Sequence, residues 1–174
     1  MANKSKIHFI ITGGTIDSYY EPTKDTAVPN KHSVIPRFIQ SLKLYEECEF
    51  TEICMKDSRE LDQADLKNIC KTIEENPHQR IIITHGTYTM PDTARYLSAN
   101  LKNKNKVIIL VGSMIPLSGF APSDAPFNLG FAMAKSQELA NGIYVCMNGK
   151  VFSPNEIMKT INQGRFSSIF GEND

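Results

Sequence analysis

Five short apolar runs, rich in β-branched residues, punctuate the chain: Ile7–Ile11, Phe50–Met55, Arg80–Thr84, Val107–Val111 and Ile143–Met147. Each has the length of a strand, and strands this apolar are buried on both faces. Between them the apolar positions change to helical spacing. Asp62–Glu75 puts Leu66, Ile69, Cys70 and Ile73 on one stripe. Thr89-Met90-Pro91 reads as a cap followed by a first-turn proline, opening a helix through about Leu101. Pro126–Leu139 is a further helix, with Leu129, Met133 and Leu139 among its apolar positions. Strands alternating with helices predict an α/β fold: a parallel sheet covered on both faces, in three layers, of the flavodoxin or Rossmann kind.

Other segments are irregular. Ser18–Lys31 mixes two tyrosines, two prolines, acids and lysines without periodicity, and its length predicts a flexible functional loop or lid. Asn148–Gly149, between Met147 and Lys150–Phe152, signals a two-residue hairpin. Gln163–Asp174 is polar and predicts a surface tail. No repeat divides the chain, so residues 1–174 read as one domain.

Composition narrows the function classes. With 41% hydrophobic and 22% charged residues and a formal charge of zero, nothing points to nucleic acid or an anionic membrane as partner. The apolar run after Met1–Lys6 is too short for a signal-peptide core or a membrane span. Cys48, Cys54, Cys70 and Cys146 form no C-x-x-C pair, and reduced thiols in a cytoplasmic protein are expected. His8, His32, His78 and His85 stand at no zinc-ligand spacing. Nucleotide cradles of the G-x-G-x-x-G or G-x-x-x-x-G-K-[ST] type and the G-x-S-x-G elbow are all missing. No metal or cofactor is expected.

Ligands of an open parallel sheet bind beyond the carboxyl ends of its strands. Those ends read Thr12-Gly13-Gly14-Thr15, Asp57-Ser58-Arg59-Glu60, His85-Gly86-Thr87-Tyr88-Thr89 and Gly112-Ser113-Met114. Hydroxyls and glycines recur at all four, which suits close approach to a small ligand. Ordinary turn chemistry enriches the same residues. Composition at the strand ends therefore leaves a binding crevice and plain turns both open.

The order of motifs is more specific. Ile11-Thr12-Gly13-Gly14-Thr15-Ile16, then Ile83-Thr84-His85-Gly86-Thr87-Tyr88-Thr89-Met90 and Thr93-Ala94, resemble the paired threonine motifs of bacterial-type L-asparaginases. Val111-Gly112-Ser113-Met114-Ile115-Pro116 and Ser123–Leu129 are similar to that family's third signature. The resemblance spans nearly the whole chain but only the family's N-terminal catalytic domain, implying a short single-domain form. It implies an amidohydrolase that converts L-asparagine, or a related small amide, to L-aspartate and ammonia, and a homodimer or higher homo-oligomer.

Carried over by position, the resemblance makes Thr15 the nucleophile, with Thr87 opposite and Lys159 arriving from Asn155–Lys159. It puts Ser58 and Arg59 in the pocket for the substrate's α-carboxylate and α-amino groups. Tyr20, or else Tyr19, becomes the loop tyrosine that activates the nucleophile. Backbone amides of Gly14 and Thr87 become oxyanion donors, Gly86 and Tyr88 count among the substrate-binding residues, and Ser113 holds the leaving nitrogen. His85 is expected to be structural, and Asp124 either to cap the Pro126 helix or to touch the site.

The motif departs from the family at Tyr88, where an aspartate normally pairs with the substrate's ammonium group. Tyrosine carries no charge at neutral pH, and Asp57 or Glu60 are the nearby acids that could stand in. Two alternatives therefore stay beside the hydrolase: a small-molecule binding protein with impaired turnover, and an ammonia-supplying amidotransferase subunit.

Overall fold

All five apolar runs form strands of one sheet. The computed structural model describes residues 6–171; Met1–Ser5 and the last three residues of the expected tail, 172–174, lie outside them. The strands are β1 (Ile7–Gly13), β4 (Cys48–Lys56), β5 (Arg80–Thr84), β6 (Val107–Val111) and β7 (Gly142–Met147). They run parallel in the order β4-β1-β5-β6-β7, and β8 (Lys150–Phe152) closes one edge antiparallel to β7. This is the flavodoxin-like order, whose topological switch lies between β1 and β5. The Asn148–Gly149 hairpin forms as expected, with φ of 54° and 75° at its two residues, the positive pair that a type I′ turn requires.

Alternate residues of each strand feed two separate cores. Ile10, Ile81, Ile83, Ile108 and Leu110 pack with Ile69 and Ile73 of α2 (Gln63–Glu75) and with Met90, Ala94 and Leu97 of α3 (Met90–Asn100). Ile7, Phe9, Ile82 and Ile109 pack on the other face with Ile35 and Ile39 of α1 (Ile35–Ser41) and Leu129, Ala132 and Met133 of α4 (Ala125–Glu138). The three-layer expectation is met. Of the helices, only α1 had no sequence signal: seven residues hold too few turns for a period, and Val34 at its start makes no side-chain cap.

Local chemistry explains the helix starts. Asp62 accepts from the amides of Ala64 and Asp65, and Asp65 accepts from the Asp62 amide, a reciprocal capping box. Thr89 occupies the cap position of α3 without a cap bond; its hydroxyl donates instead to the Ser58 carbonyl at 2.9 Å. Asp124 neither caps α4 nor lines the cavity below. Its carboxylate accepts from the amides of Met114 and Ile115 and from Asn128 Nδ2, tying down the loop after β6.

Two irregular segments turn out to be paired. Within 18–31, β2 (Ser18–Glu21) and β3 (Thr26–Pro29) form an antiparallel hairpin. Near the end, β9 (Ile157–Thr160) pairs with β10 (Arg165–Ser168). The expected surface tail is corrected over that strand: Phe166 is 2% exposed and belongs to the core. One aromatic in a polar stretch, placed by strand pairing, is enough to anchor it.

Candidate active site

The sheet delivers the carboxyl ends of β1, β4 and β5 to the switch point. β1 carries a register shift between Ile11 and Gly13, so that Gly13 pairs with Lys56 of β4. Gly13 and Gly14 both take positive φ, 88° and 79°. A Cβ on Gly14 would lie 2.3 Å from the Gly86 nitrogen, and one on Gly86 would lie 2.7 Å from the Ser58 side chain. Only glycines allow this three-way approach of the β1, β4 and β5 ends.

A cavity of about 200 Å³ opens there, lined by Gly14, Thr15, Asp57, Ser58, Arg59, Gly86, Thr87, Tyr88 and Lys159. Thr15 begins a 3-10 turn (Thr15–Asp17), where a first-turn amide has no intrahelical partner. Lys159 reaches in from β9, which Arg95 of α3 holds by donating to the Ile157 carbonyl at 2.9 Å. Lys159 Nζ donates to Thr87 Oγ1 at 2.7 Å. Burial, and next the Arg59 guanidinium, push the Lys159 pKa down, while Asp57 opposes them.

Behind the cavity, His85 is fully buried between two partners. Its Nδ1 lies 2.7 Å from the Gly86 carbonyl, and its Nε2 lies 3.0 Å from Thr93 Oγ1. A carbonyl can only accept, so Nδ1 carries the hydrogen and Nε2 accepts from Thr93. Burial pushes the His85 pKa down to about 4, so the ring is neutral and structural, as expected.

The substrate pocket expected around Ser58 and Arg59 has a particular charge pattern. Asp57, the one acid lining the cavity among the described residues, receives Arg59 Nε at 3.0 Å and Nη2 at 2.8 Å. That pairing holds its carboxyl below the usual range. The guanidinium also lies 5.5 Å from the centroid of the Tyr88 ring. Of the two acids that could stand in for the family aspartate, Asp57 is at the cavity and Glu60 is not among its lining residues.

Three expected contacts with the cavity are not made in this structure. Tyr20 does not line the cavity: it is on β2, 45% exposed, and its hydroxyl donates to Asp25 across the hairpin. Tyr19 donates to Glu21 of its own strand at 3.2 Å. Neighbouring residues of a strand face opposite ways, and each ring finds a carboxylate within its own hairpin. Ser113 is fully buried, and its hydroxyl donates to the Ile115 carbonyl at 2.5 Å, within its own loop. The Gly14 amide donates to the Lys56 carbonyl at 2.9 Å and is not free for an oxyanion.

One further buried acid drew no attention in the sequence. Asp17 accepts from the Val34 amide at 2.9 Å and fastens the hairpin to the segment before α1. Its only sequence signal was position, two residues after Thr15.

This geometry can be set beside known proteins. Residues 6–169 match the family model described as Asparaginase, N-terminal. The chain belongs to the asparaginase family. It is 32% identical over 125 residues to the L-asparaginase of Thermococcus kodakarensis, covering 70% of this chain and 38% of that protein. It is 27% identical to a probable periplasmic L-asparaginase of Haemophilus influenzae, over 91% of this chain and 47% of the other. Among solved structures, a probable cytoplasmic L-asparaginase from Campylobacter jejuni superposes with a TM-score of 0.78 at 30% identity, over 95% of this chain and 53% of that one. This asparaginase-family chain thus spans about half the length of the relatives it matches.

Proposed function

We propose that this chain carries the catalytic machinery of an L-asparaginase-type amidohydrolase, with Thr15 as nucleophile. The observation that carries the reading is the 2.7 Å bond from Lys159 to Thr87 inside the cavity that Thr15 also lines. The relatives named L-asparaginase support asparagine as substrate.

In the proposed reaction Thr15 Oγ attacks the side-chain amide carbon and its proton leaves through the Thr87–Lys159 pair. A threonine hydroxyl needs such an acceptor. Lys159, its pKa lowered, serves as the neutral amine, with the Thr87 hydroxyl then donating to Nζ and taking up the Thr15 proton in turn. We assign the oxyanion to the first-turn amide of Thr15 and the amide of Thr87, because the Gly14 amide is committed to the Lys56 carbonyl. Collapse of the adduct breaks the C–N bond, the proton goes to the departing nitrogen, and ammonia leaves. Water then cleaves the Thr15 ester, releasing the acid and restoring the hydroxyl. No metal or organic cofactor is needed for these steps. A cytoplasmic location, supported by a relative described as cytoplasmic, and a homo-oligomeric state belong to the same proposal.

The test is ammonia release from asparagine, glutamine and related small amides. Thr15→Ala and Thr87→Ala are each expected to lose it, by roughly 10³-fold or more. Release by both variants equal to the wild type would overturn the proposal. Asp57 and Arg59 satisfy each other beside Tyr88, and this favours one other reading, a binding protein without turnover. Calorimetry detecting amide binding in a protein that releases no ammonia would select it.

A further inference from the structure

At the opposite end of the sheet, three side chains meet that the proposed reaction does not use. His8 is the second residue of β1, Glu49 is its register partner on β4, and His78 lies in the turn between α2 and β5. Their ligand atoms all lie within 4.8 Å of one another. His78 Nε2 is 3.0 Å and His8 Nδ1 is 3.8 Å from Glu49 Oε2. The two rings are nearly parallel, 25° apart, with centroids at 6.0 Å.

His8 is 7% exposed, and its Nδ1 is buried without a hydrogen-bond partner. Its other nitrogen, Nε2, lies 2.9 Å from Thr51 Oγ1. An N–H at Nε2 donating to Thr51 leaves Nδ1 a bare lone pair directed at the cluster. Buried polar atoms are rarely left unmatched. Metal-binding histidines commonly have this arrangement, with the second nitrogen donating to an outer partner.

We propose that His8 Nδ1, His78 Nε2 and Glu49 Oε2 form a binding site for one divalent ion of the zinc, cobalt or nickel class. Two imidazoles and a carboxylate suit these borderline ions, and water completes the coordination. An ion about 2.0–2.2 Å from each ligand needs ligand atoms roughly 3–3.5 Å apart. The His78–Glu49 pair already meets that, and the half-exposed Glu49 and the turn bearing His78 can supply the remaining approach.

The surroundings set the strength. Lys6 donates to Glu49 Oε1 at 3.0 Å, leaving Oε2 for the ion, and also pairs with Glu47 at 3.2 Å. Lys106 donates to the carbonyls of Asn76 and His78, at 2.5 and 2.8 Å, and so steadies the turn. Two ammonium groups this close offset the carboxylate, so binding is weaker than at a closed structural zinc site.

The site is tested on chelator-treated protein with cobalt(II) chloride and, separately, zinc chloride. One equivalent of cobalt is expected to bind saturably and give visible d–d absorption. Zinc at about a hundred times its Kd should raise Tm by about 5–10 °C. Glu49→Gln and His78→Gln should each weaken binding at least about tenfold, and Thr51→Val, which removes only the outer partner of His8, about 10–100-fold. His32→Gln, on an exposed pair with Glu52, should bind as the wild type does. No saturable binding, or binding unchanged in both Glu49→Gln and His78→Gln, would overturn the proposal.

Discussion

At the carboxyl edge of the sheet, Gly14 and Gly86 press together, and the polar side chains around them face an open cavity. At the amino edge, His8, Glu49 and His78 converge with no glycine among them, and the central ring is almost wholly buried. The first arrangement depends on backbones that can approach a ligand. The second depends on strand register, which sets His8 opposite Glu49. One sheet can therefore hold two polar clusters of different character, a β-strand apart: β1 from His8 to Gly13 spans roughly 17 Å. Neither cluster shares a residue with the other.

That separation makes a strong contrast testable. Lys159→Met removes the partner of Thr87 and should lower ammonia release by roughly 10²–10⁴-fold, the range for losing a proton-transfer group. His78→Gln should leave release unchanged within about twofold, since changes far from a site act independently. Tyr20→Phe belongs with His78→Gln in this scheme, because its hydroxyl is spent on Asp25. A loss of more than tenfold in Tyr20→Phe would mean that the hairpin closes over the cavity during turnover. Steady-state assays on the three variants decide it.

The two edges also differ in how far they were legible. Residues that end a strand were readable, because apolar runs locate strand ends and parallel sheets bind ligands there: Thr15, Ser58, Gly86 and Thr87 all line the cavity. Ser113 also ends a strand, yet its hydroxyl turns back to Ile115. A strand end fixes where a residue sits, and its loop then decides where the side chain points. Tyr20 sits away from the cavity for a related reason, since a hairpin inside an aperiodic loop gives no signal that its tyrosines pair locally. The amino-edge cluster had no signal at all. His8 and His78 are brought together by β1 and the turn before β5, and no chain spacing encodes that.

A smaller effect separates the buried histidine from the cavity-lining groups at the carboxyl edge. His85 is neutral in the fold, with its pKa near 4, whereas an unfolded histidine titrates near 6.5. Between those values the unfolded chain binds the extra proton. The contribution is therefore complete above about pH 6.5 and is lost as pH falls toward 4, amounting to about 3 kcal/mol. Thermal melts from pH 7 to pH 4 should show this loss. His85→Gln, which keeps a donor for Gly86 and an acceptor for Thr93, should flatten the dependence. An unchanged slope would mean that other groups carry it.

The smallest expected effect concerns the grip on the substrate. Asp57 is the acid available at the cavity, and Arg59 holds both of its oxygens while packing against Tyr88. An incoming ammonium group therefore finds this carboxylate already paired with Arg59. Tyr88→Asp would add a second acid on the cavity wall. It would also remove the ring that Arg59 packs on. A charge-assisted hydrogen bond contributes about 1.5–3 kcal/mol, so KM for asparagine should fall by one to two decades at little change in kcat. Substrates that lack the ammonium group are the control, since their KM should stay level or rise beside the new negative charge. If asparagine and an ammonium-free amide improved together, the added carboxylate would be acting on the loop rather than on the substrate. A fall confined to asparagine would identify Tyr88 as the residue that sets which amides the cavity holds.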